Sequence, residues 1–301
     1  MSPPQKKDKF KGIMDEWAGL VKLVAKNERF CYFQSKSAPM RKDASAVIIK
    51  KEQWGEYFRF TLTSPEIARE ALPGQFVMVR VSDTDHPLLR RPFGIHARGP
   101  ETISLFFSIA GLGTGLLAQK EKGDKLDLLG PLGRGFSVGK PGRDDETVML
   151  VGGGRGIAPL YFLADDLYRA GYKVRVLYGG RSVKDVPLKK LFEASCWETS
   201  FATDDGSIGF HGLVTGLMPA EFESKKVSRV CACGPDPMLK EVARLALLES
   251  LPAELSLEAR MGCGFGACWG CVKKIRRQGR DEWLKVCEEG PVFQAQEVVW
   301  E

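Results

Sequence analysis

Histidine is scarce in this chain: three residues, His86, His96 and His211, among 301. They are scattered, and no Ser/His/Asp arrangement accompanies them, which argues against triad-type hydrolysis. Long apolar runs are missing as well. The longest uncharged stretch, Ile103 to Gln119, is too short and too rich in Gly and Ser to span a bilayer. The start, Met1-Ser-Pro-Pro-Gln-Lys-Lys-Asp-Lys, has no apolar segment behind it, so no secretory signal is expected. Nor does the body of the protein carry excess charge. Of the net +6, all resides in residues 1–42, which hold ten Lys/Arg against four Asp/Glu and leave the remainder balanced. A basic face for polynucleotide binding is therefore not expected, nor a membrane partner, and residues 1–42 read as a solvated basic extension. Apolar content of 44% and charged content of 27% are those of an ordinary globular protein. The expectation is a cytoplasmic enzyme with reduced thiols.

Cysteine, by contrast, is concentrated. Cys263, Cys268, Cys271 and Cys287 read C-x4-C-x2-C-x15-C. Four thiolates can hold a [2Fe-2S] cluster, and C-x4-C-x2-C opens the plant-type ligand pattern. The residues between them, Gly262, Gly264, Gly266, Ala267 and Gly270, are small enough to let a loop wrap closely and turn backbone N–H groups toward sulfur. Structural zinc is the alternative, although zinc commonly takes two matched C-x2-C-like pairs and only one is present. A disulfide scaffold does not suit a chain of this size and class.

Short runs of alternating or β-branched apolar residues occupy Ala44 to Ile49, Tyr57 to Thr63, Gly74 to Val81, Ile103 to Ile109 and Lys125 to Leu129, separated by Gly/Pro turns. They predict an antiparallel β-barrel over about 43–140. After Thr147 the pattern changes to alternating strand and helix. Strands are expected at 148–151, 174–178, 200–203 and 227–232, and helices over 157–170 and 236–249, the latter with Met238, Val242, Leu245 and Leu248 along one side. That order predicts a parallel α/β sheet for 141–255, followed by a small cluster-bearing segment, 256–301. The fold class is thus α+β and multidomain.

The loop after the 148–151 strand, Gly152-Gly153-Gly154-Arg155-Gly156-Ile157-Ala158-Pro159, stands where parallel sheets bind ligands, ahead of a helix N-terminus. It does not satisfy G-x-G-x-x-G, because Ile157 holds the third glycine's place, and Gly179-Gly180-Arg181-Ser182 supplies no acidic residue after the next strand. An ordinary Rossmann dehydrogenase is disfavoured. Together with Cys233-Gly234-Pro235-Asp236-Pro237-Met238, the loop resembles the nicotinamide domain of the ferredoxin–NADP reductase superfamily. Arg91-Pro92-Phe93-Gly94 resembles that superfamily's flavin motif. Within it the chain is most similar to the electron-transfer subunits of NAD-dependent (class 1B) dihydroorotate dehydrogenase, over about residues 43–300. The matching stretches are Pro73 to Met78, Leu88 to Ile95, Gly130 to Phe136, Ser256 to Met261 with the cluster loop, and Lys285 to Phe293.

The resemblance implies FAD, a [2Fe-2S] cluster and NAD as cofactors, with NADP still open. Arg91 would pair with the FAD pyrophosphate, and Pro92 and Phe93 would lie along the flavin. Phe107, Ser108 and Ile109 would edge it, and Gly113 and Thr114 would face its phosphates. Core packing is the competing reading for Phe93 and Phe107, and a surface ion pair for Arg91. Gly94 departs from the Ser or Thr expected there, whose hydroxyl can bond flavin N5. Gly152, Gly153, Gly154, Gly156 and Pro159, with Gly234 and Pro235, would hold the dinucleotide. Cys233 either lies near the hydride path as a catalytic residue or is simply a small buried strand-end residue. NADH gives two electrons as a hydride, an iron–sulfur cluster takes one, and a flavin handles both. The resemblance further implies a separate FMN-containing catalytic subunit of the dihydroorotate dehydrogenase type, in a heterotetramer. Related small subunits of NADH-dependent ferredoxin:NADP oxidoreductases, sulfide dehydrogenases or soluble hydrogenases are the alternative.

Overall fold

A computed structural model describes residues 40–142, 145–224 and 226–300, so the basic extension lies outside the described residues except at its last positions. The first part is a closed barrel. Strands β1 (Arg41–Trp54) and β2 (Tyr57–Thr63) are followed by helix α1 (Pro65–Glu70), then β3 (Phe76–Arg80), β4 (Arg91–Arg98) and β5 (Thr102–Ser108). Helix α2 (Leu112–Ala118) and β6 (Lys125–Leu132) complete it. Around the barrel the order is β1-β2-β5-β4-β3-β6, with antiparallel neighbours. The period-2 alternation sends Phe58, Phe60, Leu62, Val77, Val79, Phe93, Ile95, Leu105 and Phe107 into one apolar interior.

The second part alternates β7 (Thr147–Gly153), α3 (Ile157–Arg169), β8 (Lys173–Gly180), α4 (Lys189–Glu193), β9 (Glu198–Thr203), β10 (Phe210–His211), α5 (Met218–Ser224), β11 (Val227–Cys233), α6 (Asp236–Leu248) and β12 (Ala253–Ser256). Their sheet runs β10-β9-β8-β7-β11-β12 with parallel pairing. Successive strands leave β7 in one direction and return on its other side at β11. The topological switch, where such sheets open a ligand crevice, therefore lies at the C-terminal end of β7.

The chain then leaves the sheet through the cysteine loop and makes the hairpin β13 (Val272–Arg277) and β14 (Arg280–Lys285). It turns through α7 (Val286–Glu289) and re-enters the sheet as β15 (Val292–Gln294), antiparallel to β12. The seventh strand of the sheet thus comes from the cysteine-bearing segment. Among the described residues, barrel, sheet and this segment form one compact unit.

One expectation is corrected in detail. Helix α6 buries Leu239, Val242, Ala243 and Ala246, an i, i+3, i+4, i+7 stripe, whereas Leu248 is exposed. The buried face therefore keeps Val242 from the expected side, has Met238 and Leu245 at its margin, and leaves out only Leu248. Helix α3 is apolar nearly all round because it is wedged between two bodies. Leu160 and Leu163 face the sheet's core, while Phe162 joins the barrel interior. Its Pro159 sits in the first turn, where a missing N–H costs no helical bond. Among the described residues no helix is long and apolar enough to cross a membrane.

Candidate functional site

The residues expected on the flavin side lie on β4, which packs against α3, at the end of β5 and just beyond it, and at the start of α2. Phe93 and Phe107 point inward. Phe107 stacks on Phe58 with centroids 5.5 Å apart and meets Phe60 and Phe93 edge-on at 5.2 and 5.5 Å. Their rings are barrel core, which leaves Pro92, Gly94 and the exposed Ile109 for a ligand outside the barrel wall, Ser108 being buried. Arg91 lies over the start of α2 so closely that a Cβ on Gly113 would stand 2.7 Å from Arg91 Nε. Its Nη1 donates to the Leu89 carbonyl, which fixes the side chain, and among the described residues its other donors keep no protein partner. A fixed guanidinium with spare donors fits a phosphate group. The Thr114 hydroxyl is engaged in the loop itself, accepting from the Ala110 and Gly111 N–H groups at 2.8 and 3.2 Å. Gly94 faces Pro159, and a Cβ there would meet the proline at an ordinary 3.7 Å.

The dinucleotide-side glycines are explained by how tightly two loops interlock at the ends of β7 and β11. A Cβ on Gly156 would stand 2.3 Å from the Cys233 carbonyl oxygen. One on Gly153 would stand 2.7 Å from Met238 Sδ, and one on Gly234 would stand 2.6 Å from Met238 Cε. Gly152 is held against Ile157 in the same way. Gly154 has φ +54°, the left-handed region, with open space where a side chain would be. The loop brings Gly152–Gly156 and Gly234-Pro235 together at the switch point, ahead of the α3 N-terminus, an arrangement suited to a pyrophosphate. Cys233 is buried there. Burial, reinforced by the charge of Glu258, pushes its thiol up to about 12, so at neutral pH it is a neutral thiol rather than a nucleophile.

Polar contacts tie the two sides together. His96 Nδ1 bonds the Ala158 carbonyl at 2.8 Å, Arg155 Nη1 donates to Ser108 Oγ at 2.9 Å, and Tyr57 Oη reaches Asp185 Oδ1 at 3.4 Å. Burial and the Asp185 charge raise the Tyr57 phenol, and the Arg155 charge opposes them. Sequence reasoning missed Arg155, His96 and Tyr57. Only the position of Arg155 within the glycine loop could have drawn attention to it.

The cysteine loop carries positive φ at Gly264 (+84°), Gly266 (+89°) and Trp269 (+56°), the turns that let it fold back. A Cβ on Gly264 would stand 2.4 Å from Met78 Cγ, so the loop backbone rests directly on β3, whose Met78 pairs with Pro92 of β4. Cys271 and Cys287 are buried in the apolar cluster with Ile275, Leu284 and Val286; Cys263 is half-buried and Cys268 exposed. Gly266 N–H donates to Cys287 Sγ at 3.1 Å, and Cys287 N–H to Cys271 Sγ at 3.4 Å. Burial raises the Cys263 thiol, but the N–H groups of Phe265, Cys268 and Ala267 and the Cys268 thiol outweigh it and bring it down to about 7. Burial, with the Cys271 hydrogen bond adding, pushes Cys287 up to about 12. Among the described residues no three potential ligands stand in closed coordination geometry, and the thiols approach as the pairs 263/268 and 271/287. An all-thiol donor set with backbone N–H groups aimed at sulfur fits an iron–sulfur cluster.

Comparison with known proteins adds identity to this geometry. Residues 258–299 match the iron–sulfur cluster binding domain of dihydroorotate dehydrogenase B, and residues 150–244 match the oxidoreductase NAD-binding domain. Among solved structures, the NADH-dependent reduced ferredoxin-NADP oxidoreductase studied for electron bifurcation is 30% identical. It aligns over 86% of this chain and 91% of its own with a TM-score of 0.74. A ferredoxin NADP+ reductase from Neisseria gonorrhoeae with bound FAD and NADP shares the fold at 16% identity and a TM-score of 0.56, over 71% of this chain and 92% of its own. The dihydroorotate dehydrogenase B (NAD(+)) electron transfer subunit of Desulforamulus reducens is 42% identical over 79% of this chain and 90% of its own length. Its counterpart in Geobacillus kaustophilus is 43% identical over 80% and 92%. With a ferredoxin reductase-like barrel, a nicotinamide sheet and a C-terminal cysteine module in one order, the chain belongs to the family of dihydroorotate dehydrogenase B electron transfer subunits.

Proposed function

We propose that this subunit exchanges hydride with NAD at the switch point of its sheet and single electrons with a catalytic partner at the cysteine loop. The overall reaction is the oxidation of dihydroorotate to orotate in that partner, an FMN-containing subunit of a heterotetramer, with NAD+ as the final acceptor. The observation that carries this reading is the shared barrel wall. Gly264 of the cysteine loop rests on Met78, Met78 pairs with Pro92, and Gly94 on the same strand faces Pro159 of the dinucleotide side. Flavin bound along β4 is thereby within reach of both. When bound, FAD supplies the conversion between paired and single electrons. Arg91 holds its phosphates, and Pro92 and Gly94 present the barrel surface. Gly152, Gly153, Gly154 and Gly156, with Gly234 and Pro235, admit the dinucleotide phosphates close to backbone N–H groups. Cys263, Cys268, Cys271 and Cys287 hold the [2Fe-2S] cluster. Cys233 closes the floor of the crevice as a neutral buried thiol.

Cys271→Ala tests the assignment. It is expected to abolish electron flow to the partner while leaving reduction of a dye by NADH through FAD within about twofold of wild type, since the two sites lie on different elements. Loss of both activities in a protein that still folds would sink the reading. A second reading has the 30% identity to the ferredoxin-NADP oxidoreductase in its favour. Isolation with native partners separates the two: an FMN-bearing dihydroorotate dehydrogenase chain supports the first, a glutamate-synthase-like or hydrogenase chain the second.

A further inference from the structure

Arg155 takes no part in the sheet, in helix packing or in a carboxylate pair among the described residues, yet it is fixed. The loop that carries it is closely packed on its inner side, where Gly156 abuts the Cys233 carbonyl and Gly153 abuts Met238. The tip of the loop is different: Gly154 has nothing within 4 Å of its missing side chain, and Arg155 is exposed. From that tip the guanidinium crosses to the barrel and donates to Ser108 Oγ at 2.9 Å. Ser108 itself cannot yield, being only 6% exposed and set by the β2–β5 ladder opposite Tyr57. The neighbouring contacts do other work. His96 holds the base of α3 through Ala158, and Tyr57 reaches the separate loop of Asp185 over a longer 3.4 Å.

We infer that Arg155 is a positioning residue, a latch whose bond to Ser108 holds the dinucleotide loop in register with the flavin-side strands. This rests on the function proposed above, with FAD against β4 and β5 and the dinucleotide over residues 152–156. A hydrogen bond from a charged donor is stronger than a neutral one, and this one spans the two bodies whose spacing hydride exchange depends on. Reacting atoms must come within roughly 3–3.5 Å, and a misplacement of about 1 Å can cost on the order of a hundredfold in rate. A latch beside the crevice therefore acts on the rate step more than on binding.

The test uses the full FAD-loaded chain and the variants Arg155→Leu, Ser108→Ala, the pair together, and Arg155→Lys. Rapid-mixing reduction of FAD by NADH gives the limiting rate, titration gives NAD+ affinity, and amide hydrogen exchange reports on residues 153–157. Each single variant is expected to lower the limiting rate about tenfold, the worth of one charge-assisted bond, with NAD+ affinity changed less than about twofold. The double variant should be no slower than either single one, loop amides should exchange faster in all three, and Arg155→Lys should recover most of the rate. Weakened NAD+ binding in Arg155→Leu with Ser108→Ala silent would overturn the latch and make the guanidinium a ligand for the dinucleotide's charge. Unchanged rates and exchange in both single variants would overturn it outright. A wild-type protein whose FAD NADH does not reduce would instead remove the function beneath it.

Discussion

At the scale of single residues, the glycines of the crevice divide by what surrounds them. Gly156 has an ordinary helical φ of −60°, so its requirement is space rather than backbone freedom, and the Cys233 carbonyl 2.3 Å away denies that space. Gly156→Ala must push two interlocked loops apart, at a cost of about 1–3 kcal/mol by the general behaviour of overpacked sites. A lowered urea midpoint together with weakened NAD+ binding is the expected result. Gly94 is the opposite case. Gly94→Ser meets Pro159 only at ordinary contact distance and should leave stability within about 0.5 kcal/mol. If flavin lies along β4, the added hydroxyl should shift its midpoint potential, which a spectroscopic redox titration reads directly. The same pair shows what a sequence conceals: both are glycines in a motif, and only the neighbours say which is obligatory.

At the scale of elements, α6 provides a direct measurement of which helical face is the inner one. Leu239→Ala should cost about 2–5 kcal/mol, and the exposed Leu248→Ala no more than about 0.5 kcal/mol, in urea unfolding. Equal costs would contradict the packing described. The sequence reading follows Met238, Val242, Leu245 and Leu248, whereas the buried stripe includes two alanines, Ala243 and Ala246, which carry little apolar signal of their own, and only the sheet beneath marks them as inner. Much else was legible. The barrel strands with alternating apolar residues, the parallel sheet from β7 to β11 and the cysteine spacing all announce themselves locally. What was hidden has physical reasons. Strand β4 begins Arg-Pro and reads as a motif rather than a strand. The hairpin of β13 and β14 is mostly charged, with Ile275 and Leu284 as its buried apolar residues, so it shows little pattern. Strand β15 is three residues long and exists only because β12 offers an edge. Arg155 meets Ser108 across 47 positions, a pairing no window of sequence contains.

At the scale of the whole molecule, the seam between barrel and sheet contains a titratable group that must stay neutral. His96 is fully buried, and burial, only partly opposed by the Ala158 carbonyl, lowers its pKa from 6.5 to about 4. Its Nε2 finds no partner among the described residues. Above pH 6.5 both folded and unfolded chains carry the neutral ring and stability is indifferent to it. As pH falls from 6.5 toward 4, the unfolded chain takes up a proton that the folded chain refuses. Stability then drops by up to about 1.4 kcal/mol per pH unit, about 3 kcal/mol across the window. Urea unfolding at pH 7.5, 6 and 5 should show this loss in the wild type and a flatter profile in His96→Gln. Parallel profiles would place the acid sensitivity elsewhere.

The return of β15 to the sheet has a consequence for how this protein can be cut and recombined. The cysteine segment departs after Ser256 and comes home at Val292, so it is an excursion of the nicotinamide sheet rather than an appendage to it. A cassette excised at residue 256 would leave β12 as an unpaired border, a template for association with other chains. Grafting the cluster onto another reductase, or exchanging it for a homologous one, therefore has to carry the closing strand and supply a sheet border ready to receive it.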